Sequence, residues 1–222
     1  MMTPTVTAET LQTAQTPIGP TKTKSAKGAR TRARLIESSK KVFERDGFRN
    51  ARITDICEGA GLSHGSFYHY FDSKEEIFRE LAEAQEVSLL DMHDNDVPHK
   101  DEVSTVDRIR EANRRYLESY RSEAKLMKVI EEVSRYDPEV LAVRVARQHE
   151  FAERLQSSIG RLQRERRADP AIDPRYAADA LGGMVAKFAE MWVAQDEPYD
   201  MDTAVEQLTR LWANALGMRK EV

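Results

Sequence analysis

Apolar positions recur every three or four residues along most of this chain, and no stretch shows the two-residue alternation of a half-buried strand. Leu35, Ile36, Ser39, Val42 and Phe43 form the first helical stripe, which Asp46-Gly47 should end. Ile53, Ile56, Cys57 and Ala60 form a short second one, with Thr54 placed to cap it. Gly61 suits the left-handed backbone of a tight turn, Leu62 plugs that turn into the core, and Ser63 can offer its hydroxyl to the N–H groups of the next helix. That helix begins with small or polar residues (His64, Gly65, Ser66) and continues into Phe67, Tyr68, Tyr70 and Phe71. Ser73-Lys74-Glu75-Glu76 is a capping box that opens a helix to about Met92. Asp94 to Glu102, with Pro98, reads as a loop.

The remainder is helical throughout. Ser104-x-x-Asp107 starts a segment with Ile109, Ala112, Tyr116 and Tyr120 on one face, and Leu126, Met127, Ile130 and Val133 follow in another. Asp137-Pro138-Glu139 places a cap, a proline and an early acid at the start of a helix to about Arg167, striped by Phe151, Leu155, Ile159 and Leu162. Asp173-Pro174 repeats the device before Ala177, Leu181, Met184, Phe188 and Met191. Ala204, Leu208, Leu211 and Ala215 form the last stripe, closed by Gly217. The expected fold class is all-α, with about nine helices. Residues 1–28 lack apolar periodicity and read as a disordered arm, 29–81 as one helical unit and 82–222 as a second.

Composition narrows the function. The 222 residues can bury a substantial core, and no run approaches the roughly 18–20 apolar residues that span a bilayer. The first nineteen residues lack the apolar centre of a secretory signal, and the single Cys57 cannot form an internal disulfide; both fit a cytoplasmic protein. Cys57 is expected to pack as a small hydrophobe rather than to sense redox state. The net charge of −4 conceals an asymmetry: Lys22 to Thr54 holds eleven bases against three acids, so the rest is strongly acidic. A basic end beside a turn between two short helices points toward a polyanion such as DNA.

The run Ala60-Gly61-Leu62-Ser63-x-Gly65-Ser66-Phe67-Tyr68-x-Tyr70-Phe71-x-Ser73-Lys74-Glu75 resembles the signature of the TetR (tetracycline-repressor) family of bacterial transcriptional regulators. The resemblance covers roughly Ala29 to Leu81; beyond that it lies in helical layout alone. It implies a helix-turn-helix reader followed by a helical body that binds a small molecule and pairs with a second copy. On that pattern Tyr68 and Lys74 are expected at phosphates, and His64, Ser66 and His69 toward base edges. Thr54, Ser63 and Gly65 are further contact candidates, with Arg52 beside the first reader helix and Arg30 and Arg32 in the arm. Phe67 and Phe71 read as packing, and Tyr70 as a packed ring whose hydroxyl could reach a phosphate.

Within the body, Tyr116, Tyr120, Met127, Phe151, Met184, Phe188, Met191 and Trp192 could line an apolar pocket with Glu131 or His149 as polar anchors; ordinary core is the alternative for each. Gly182-Gly183 inside a helix marks close packing or room for a ligand. Ala180, Leu181, Met184 and Val185, with Leu208, Leu211, Trp212 and Ala215, suggest a four-helix dimer interface, burial within one subunit being the alternative. No catalytic residue, cofactor or metal is expected: His149-Glu150 lacks the second histidine of a zinc-protease motif, and His93, Asp94, Asp96, His99 and Asp101 read as a polar loop. The expected function is a homodimeric, ligand-responsive repressor of a palindromic DNA operator, with no membrane partner. An activator of the same family, an inducer-independent DNA-binding protein and an enzyme with an incidental helix-turn-helix are the alternatives.

Overall fold

The computed structural model describes residues 25–94, 104–195 and 197–218. The arm up to residue 24, the loop 95–103 and the side chains of the loop-proximal group (His93, Asp94, Asp96, His99, Asp101) lie outside the described residues. Nine helices occur among those described: α1 Ala26–Asn50, α2 Ile53–Gly59, α3 His64–Phe67, α4 Lys74–Asp94, α5 Thr105–Ser122, α6 Ala124–Ser134, α7 Pro138–Arg164, α8 Pro174–Gln195 and α9 Met201–Ala215. The all-α expectation stands.

Local sequence sets most boundaries. The Ser104 hydroxyl accepts from the Asp107 amide at 3.1 Å, and the Asp137 carboxylate accepts from Glu139 and Val140 at 2.9 and 3.1 Å. Asp173 and Asp200 do the same for α8 and α9, accepting from Arg175 at 2.9 Å and Thr203 at 2.8 Å. Ser73 accepts from Glu76 at 3.1 Å while the Glu76 carboxylate accepts from the Asp72 amide, a reciprocal arrangement close to the expected capping box.

Several expectations need correction. Ser25 caps α1, so residues 26–28, expected in the arm, are helical, and Arg30 and Arg32 sit on that helix rather than in an arm. Gly47 (φ 71°, ψ 169°) breaks α1 as expected, but one more turn follows to Asn50. Thr54 does not cap α2. The extended residue Arg52 fills that position, its carbonyl accepting from Asp55 and Ile56, which leaves Thr54 inside the first turn. Ser63 takes the cap position of α3 by backbone alone, its hydroxyl paired with that of Ser66 at 2.8 Å. Helix α7 ends at Arg164, before a left-handed Arg166 (φ 59°).

Helices α1–α3 close around Leu35, Phe43, Ile56, Phe67 and Phe71, all fully buried. Phe43, Phe48 and Phe78 pack with ring centroids 4.9–5.7 Å apart, which joins the start of α4 to this unit. Further on, α4 packs against α5 and α7, α7 against α8, and α5 against α9. Helix α4 is therefore shared by both halves of the chain.

Candidate functional site

The turn between α2 and α3 is built from the inside outward. Gly61 takes φ 62°, a region costly for other residues, and a Cβ there would meet the Arg34 guanidinium at 2.9 Å. Arg34 in turn donates to the Ala60 carbonyl, tying α1 to the turn. The Ser38 hydroxyl donates to the Ile56 carbonyl at 2.8 Å, filling the space beside Gly59. Cys57 is buried beneath, and burial pushes its thiol pKa up, away from the thiolate a redox sensor needs.

On this base the outer surface is open. Thr54, Ser63, His64, Gly65, Tyr68 and His69 are exposed, and Ser66 is half-buried. The His64 and Tyr68 rings lie 5.4 Å apart, and a Cβ at Gly65 would meet nothing within 4 Å. Gly65 therefore serves no packing need of this chain. Phe67 and Phe71 are fully buried, as expected, and Tyr70 is partly packed against the core.

The basic stretch is less free than its composition implies. Arg32 pairs with Glu80 and stacks over Phe71, Lys40 pairs with Glu123, Lys41 with Glu37, Arg45 with Asp46, and Arg49 with Glu132. Among the described bases of this stretch, Lys27, Arg30 and Arg52 are exposed and form no direct ion pair with a described acid, although the Arg52 charge helps to lower the Asp46 carboxyl pKa. Lys74 holds a different post from the phosphate expected for it. Its ammonium donates to the carbonyls of Phe48 (2.8 Å), Ala51 (3.1 Å) and Arg49 (3.4 Å) and lies 4.6 Å from the Phe48 ring centre. It thus caps the carboxyl end of α1. Sequence reasoning missed this because the partners lie more than twenty residues away.

The body contains a cavity of about 560 Å³ between α4, α5, α7, α8 and α9. Its apolar wall includes Leu89, Ile109, Ala112, Phe151, Leu155, Ile159, Leu162, Val185 and Trp212, and its polar groups include Arg108, Asn113, Tyr116, Arg147, His149, Arg154, Arg161 and Asp179. Of the ten residues expected to line a pocket, Tyr116, His149 and Phe151 do so. The other seven do not. Tyr120 and Met127 are buried core; Phe188 and Trp192 form an aromatic cluster with Tyr199; Met184 packs on the core; Met191 is exposed; Glu131 pairs with Arg135. The soft side chains of Tyr120, Met127, Met184, Phe188 and Trp192 satisfy packing rather than surround space. Gly182 serves both suggested purposes: it lines the cavity, and a Cβ there would meet the Phe151 ring at 2.9 Å.

Glu86 of α4 is 1% exposed and pairs with Arg147 and, at 3.5 Å, with Arg144 of α7. Burial raises its carboxyl pKa, opposed by the two guanidiniums. Burial likewise raises the Tyr116 phenol. Arg147 and Tyr116 reach the cavity wall, so this polar cluster connects the cavity to α4.

The expected dimer face divides. Leu181, Val185, Leu208 and Trp212 are at most 8% exposed, covered by their own subunit, so they do not present a face to a partner. Ala180, Leu211 and Ala215 are exposed, with Tyr176, Gly183 and Met191 on the outer stripe of α8. Among the described residues, no helix is long and apolar enough to cross a membrane, and no three His, Cys, Asp or Glu side chains cluster to hold a metal.

A compact helix-turn-helix carried on a helical body defines a class of two-part helical proteins. Residues 35–81 match the model described as bacterial regulatory proteins, tetR family. The chain is 43% identical over 56 residues to the HTH-type transcriptional regulator YdgC of Bacillus subtilis, covering 25% of this chain and 29% of that one. It is 44% identical over 50 residues to the HTH-type transcriptional repressor KstR2 of Mycobacterium tuberculosis, 22% of this chain and 25% of that one. These alignments span less than a third of the relatives' length. The whole fold is similar to the fatty acid degradation regulator FadR from Bacillus halodurans (TM-score 0.72, 18% identity, 85% of this chain and 97% of that one). It is also similar to FadR from Bacillus subtilis in complex with stearoyl-CoA (TM-score 0.69, 17% identity, 81% and 96%). Residues 35–81 thus match the amino-terminal model of that family, and the chain as a whole shares the all-helical fold of these solved structures.

Proposed function

We propose that this chain is a transcriptional regulator that binds a palindromic DNA operator as a homodimer, represses from it, and leaves it when a small molecule fills the body cavity. The carrying observation is the exposed set Ser63, His64, Gly65, Tyr68 and His69, mounted on the buried Phe67 and Phe71 of a family-typical turn. These side chains contact chiefly one another and leave their outer faces open, and Arg52 flanks them with an exposed positive charge. Repression is suggested by the similarity to the repressor KstR2, and the ligand by the cavity together with the stearoyl-CoA bound by FadR from Bacillus subtilis.

Helix α4 supplies the connection. Its first turns are held to the reader by Lys74, Phe78 and the Arg32–Glu80 pair, and Glu86 and Leu89 reach the cavity region. A ligand that displaces α4 moves the reader with it. Two readers sit in one face of a duplex only when spaced by about 34–36 Å or a close multiple. The ligand weakens DNA binding by the same free energy by which DNA weakens ligand binding. The outer stripes of α8 and α9, with Ala180, Gly183, Leu211 and Ala215, are suited to a two-fold contact because small residues allow close approach.

The test is a competition gel shift with DNA flanking the gene against random duplex at fixed salt, with sedimentation of the free protein. Preference of at least about a hundredfold by a dimer supports the reading, since specific sites exceed random ones by about 10³ or more. Equal affinity for both, or a monomer that binds neither, overturns it.

A further inference from the structure

The cavity wall combines apolar side chains with an excess of hydrogen-bond donors. The half-buried Arg108 on α5 and the exposed Arg161 on α7 both line it, and neither has a carboxylate partner among the described residues. Arg108 spends one N–H on the Thr105 hydroxyl at 3.2 Å. The Trp212 indole N–H, in a side chain only 6% exposed, also lies in this wall without a partner. The remaining charges are accounted for: Arg147 is neutralised by Glu86, Arg154 by Glu150, and Asp179 is an exposed acid among the lining residues. A neutral hydrocarbon would cover the half-buried Arg108 guanidinium and the Trp212 N–H without satisfying either, and a cation would meet two guanidiniums.

We infer that the cavity receives a molecule with an apolar body and one anionic group, a carboxylate or a phosphate, taken by the guanidiniums of Arg108 and Arg161. The inference rests on the cavity being the effector site proposed above. The apolar body lies against Ile109, Leu155 and Leu162. A volume of about 560 Å³ falls within the 300–1,000 Å³ range of sites for small organic molecules. A guanidinium matches both head groups through paired N–H donors, so the wall alone favours the shared charge rather than one source.

The test titrates the full chain with dodecanoate, dodecyl phosphate and dodecan-1-ol below their aggregation limits, followed by calorimetry. One saturable site per chain is expected, with at least one anion binding about tenfold or more tighter than the alcohol. In the double variant Arg108→Gln, Arg161→Gln that preference falls below about threefold, while alcohol affinity and the thermal midpoint stay close to the unmodified protein. Tighter dodecanoate points to a free acid, and tighter dodecyl phosphate to a phosphate ester; either supports the inference. Equal binding of alcohol and anions, absence of saturable binding by both anions, or a preference that survives the double variant overturns it. The head-group comparison in the unmodified protein stands even if the variant fails to fold. Operator binding by the ligand-free protein is measured in parallel: its failure defeats the regulator reading and leaves the cavity chemistry intact, and the converse holds equally.

Discussion

Glu86 and Arg147 form an ion pair between α4 and α7 in which the carboxylate is 1% exposed and the guanidinium lies in the cavity wall. Desolvation works against this pair, and two guanidiniums offset only part of it. Removing one partner is therefore costly. Arg147→Ala should lower unfolding free energy by about 3 kcal/mol, the lower end for a broken buried pair, because Arg144 remains 3.5 Å from Glu86. Urea unfolding monitored by circular dichroism measures it; a loss below about 1 kcal/mol would show that the pair contributes little.

The same carboxylate sets a pH dependence. With its folded pKa above the ordinary 4.5, Glu86 is protonated in the native state at pH values where the unfolded chain has released that proton. The stability this group contributes is present below 4.5 and lost as pH rises through the raised value. The Glu86→Gln variant lacks this loss, so the stability of the unmodified protein should fall relative to it as pH rises above about 4.5. Parallel curves for the two proteins would mean that Glu86 keeps an ordinary pKa in the fold.

Lys74→Met keeps most of the stem over Phe48 but removes the donor to the three carbonyls at the end of α1. A loss of about 1–2 kcal/mol is expected, between a neutral and a charge-assisted hydrogen bond for a half-buried group. Thermal unfolding reports it. An unchanged midpoint with lost DNA affinity would instead return Lys74 to a phosphate contact.

Gly65→Ala meets nothing within 4 Å in this chain, so the fold should tolerate it, whereas a bound DNA backbone would meet the added methyl. We expect an unchanged thermal midpoint and operator affinity reduced by about tenfold, roughly 1.4 kcal/mol. Tyr68→Ala should behave in the same direction, its ring being 47% exposed. Unaltered gel-shift affinity in both variants would remove this surface from the interface.

Leu211→Glu places a charge on the outer stripe of α9, where the native side chain is 51% exposed. Sedimentation should show the dimer dissociating to a folded monomer. A stable dimer would place the contact elsewhere.

Helix starts were legible because their determinants are local: Asp137, Asp173 and Ser104 each bond to amides two or three residues on. The reader was legible for the same reason, its turn being fixed by Gly61 and its floor by Phe67 and Phe71. The cavity was not. Periodicity shows that Tyr120 and Met127 face inward, but whether an inward face meets another side chain or empty space depends on how α5, α7 and α8 come together. Arg108 and Arg161 drew no attention in the sequence for the same reason. Trp212 and Leu208 could equally have met a second copy or α5, and the chain's own α5 covers α9.

Because Lys74 fastens the start of α4 to the end of α1, the reader and the first turns of α4 form one stiff lever. From Lys74 to Leu89 the helix rises about 22 Å at 1.5 Å per residue. A pivot of about 10° at the cavity end would therefore sweep the far end sideways by roughly 4 Å, and two such arms swinging apart would open the gap by nearly twice that. On the proposed mechanism, a small pivot at the cavity end would thus be amplified into a mismatch with the pitch of the double helix.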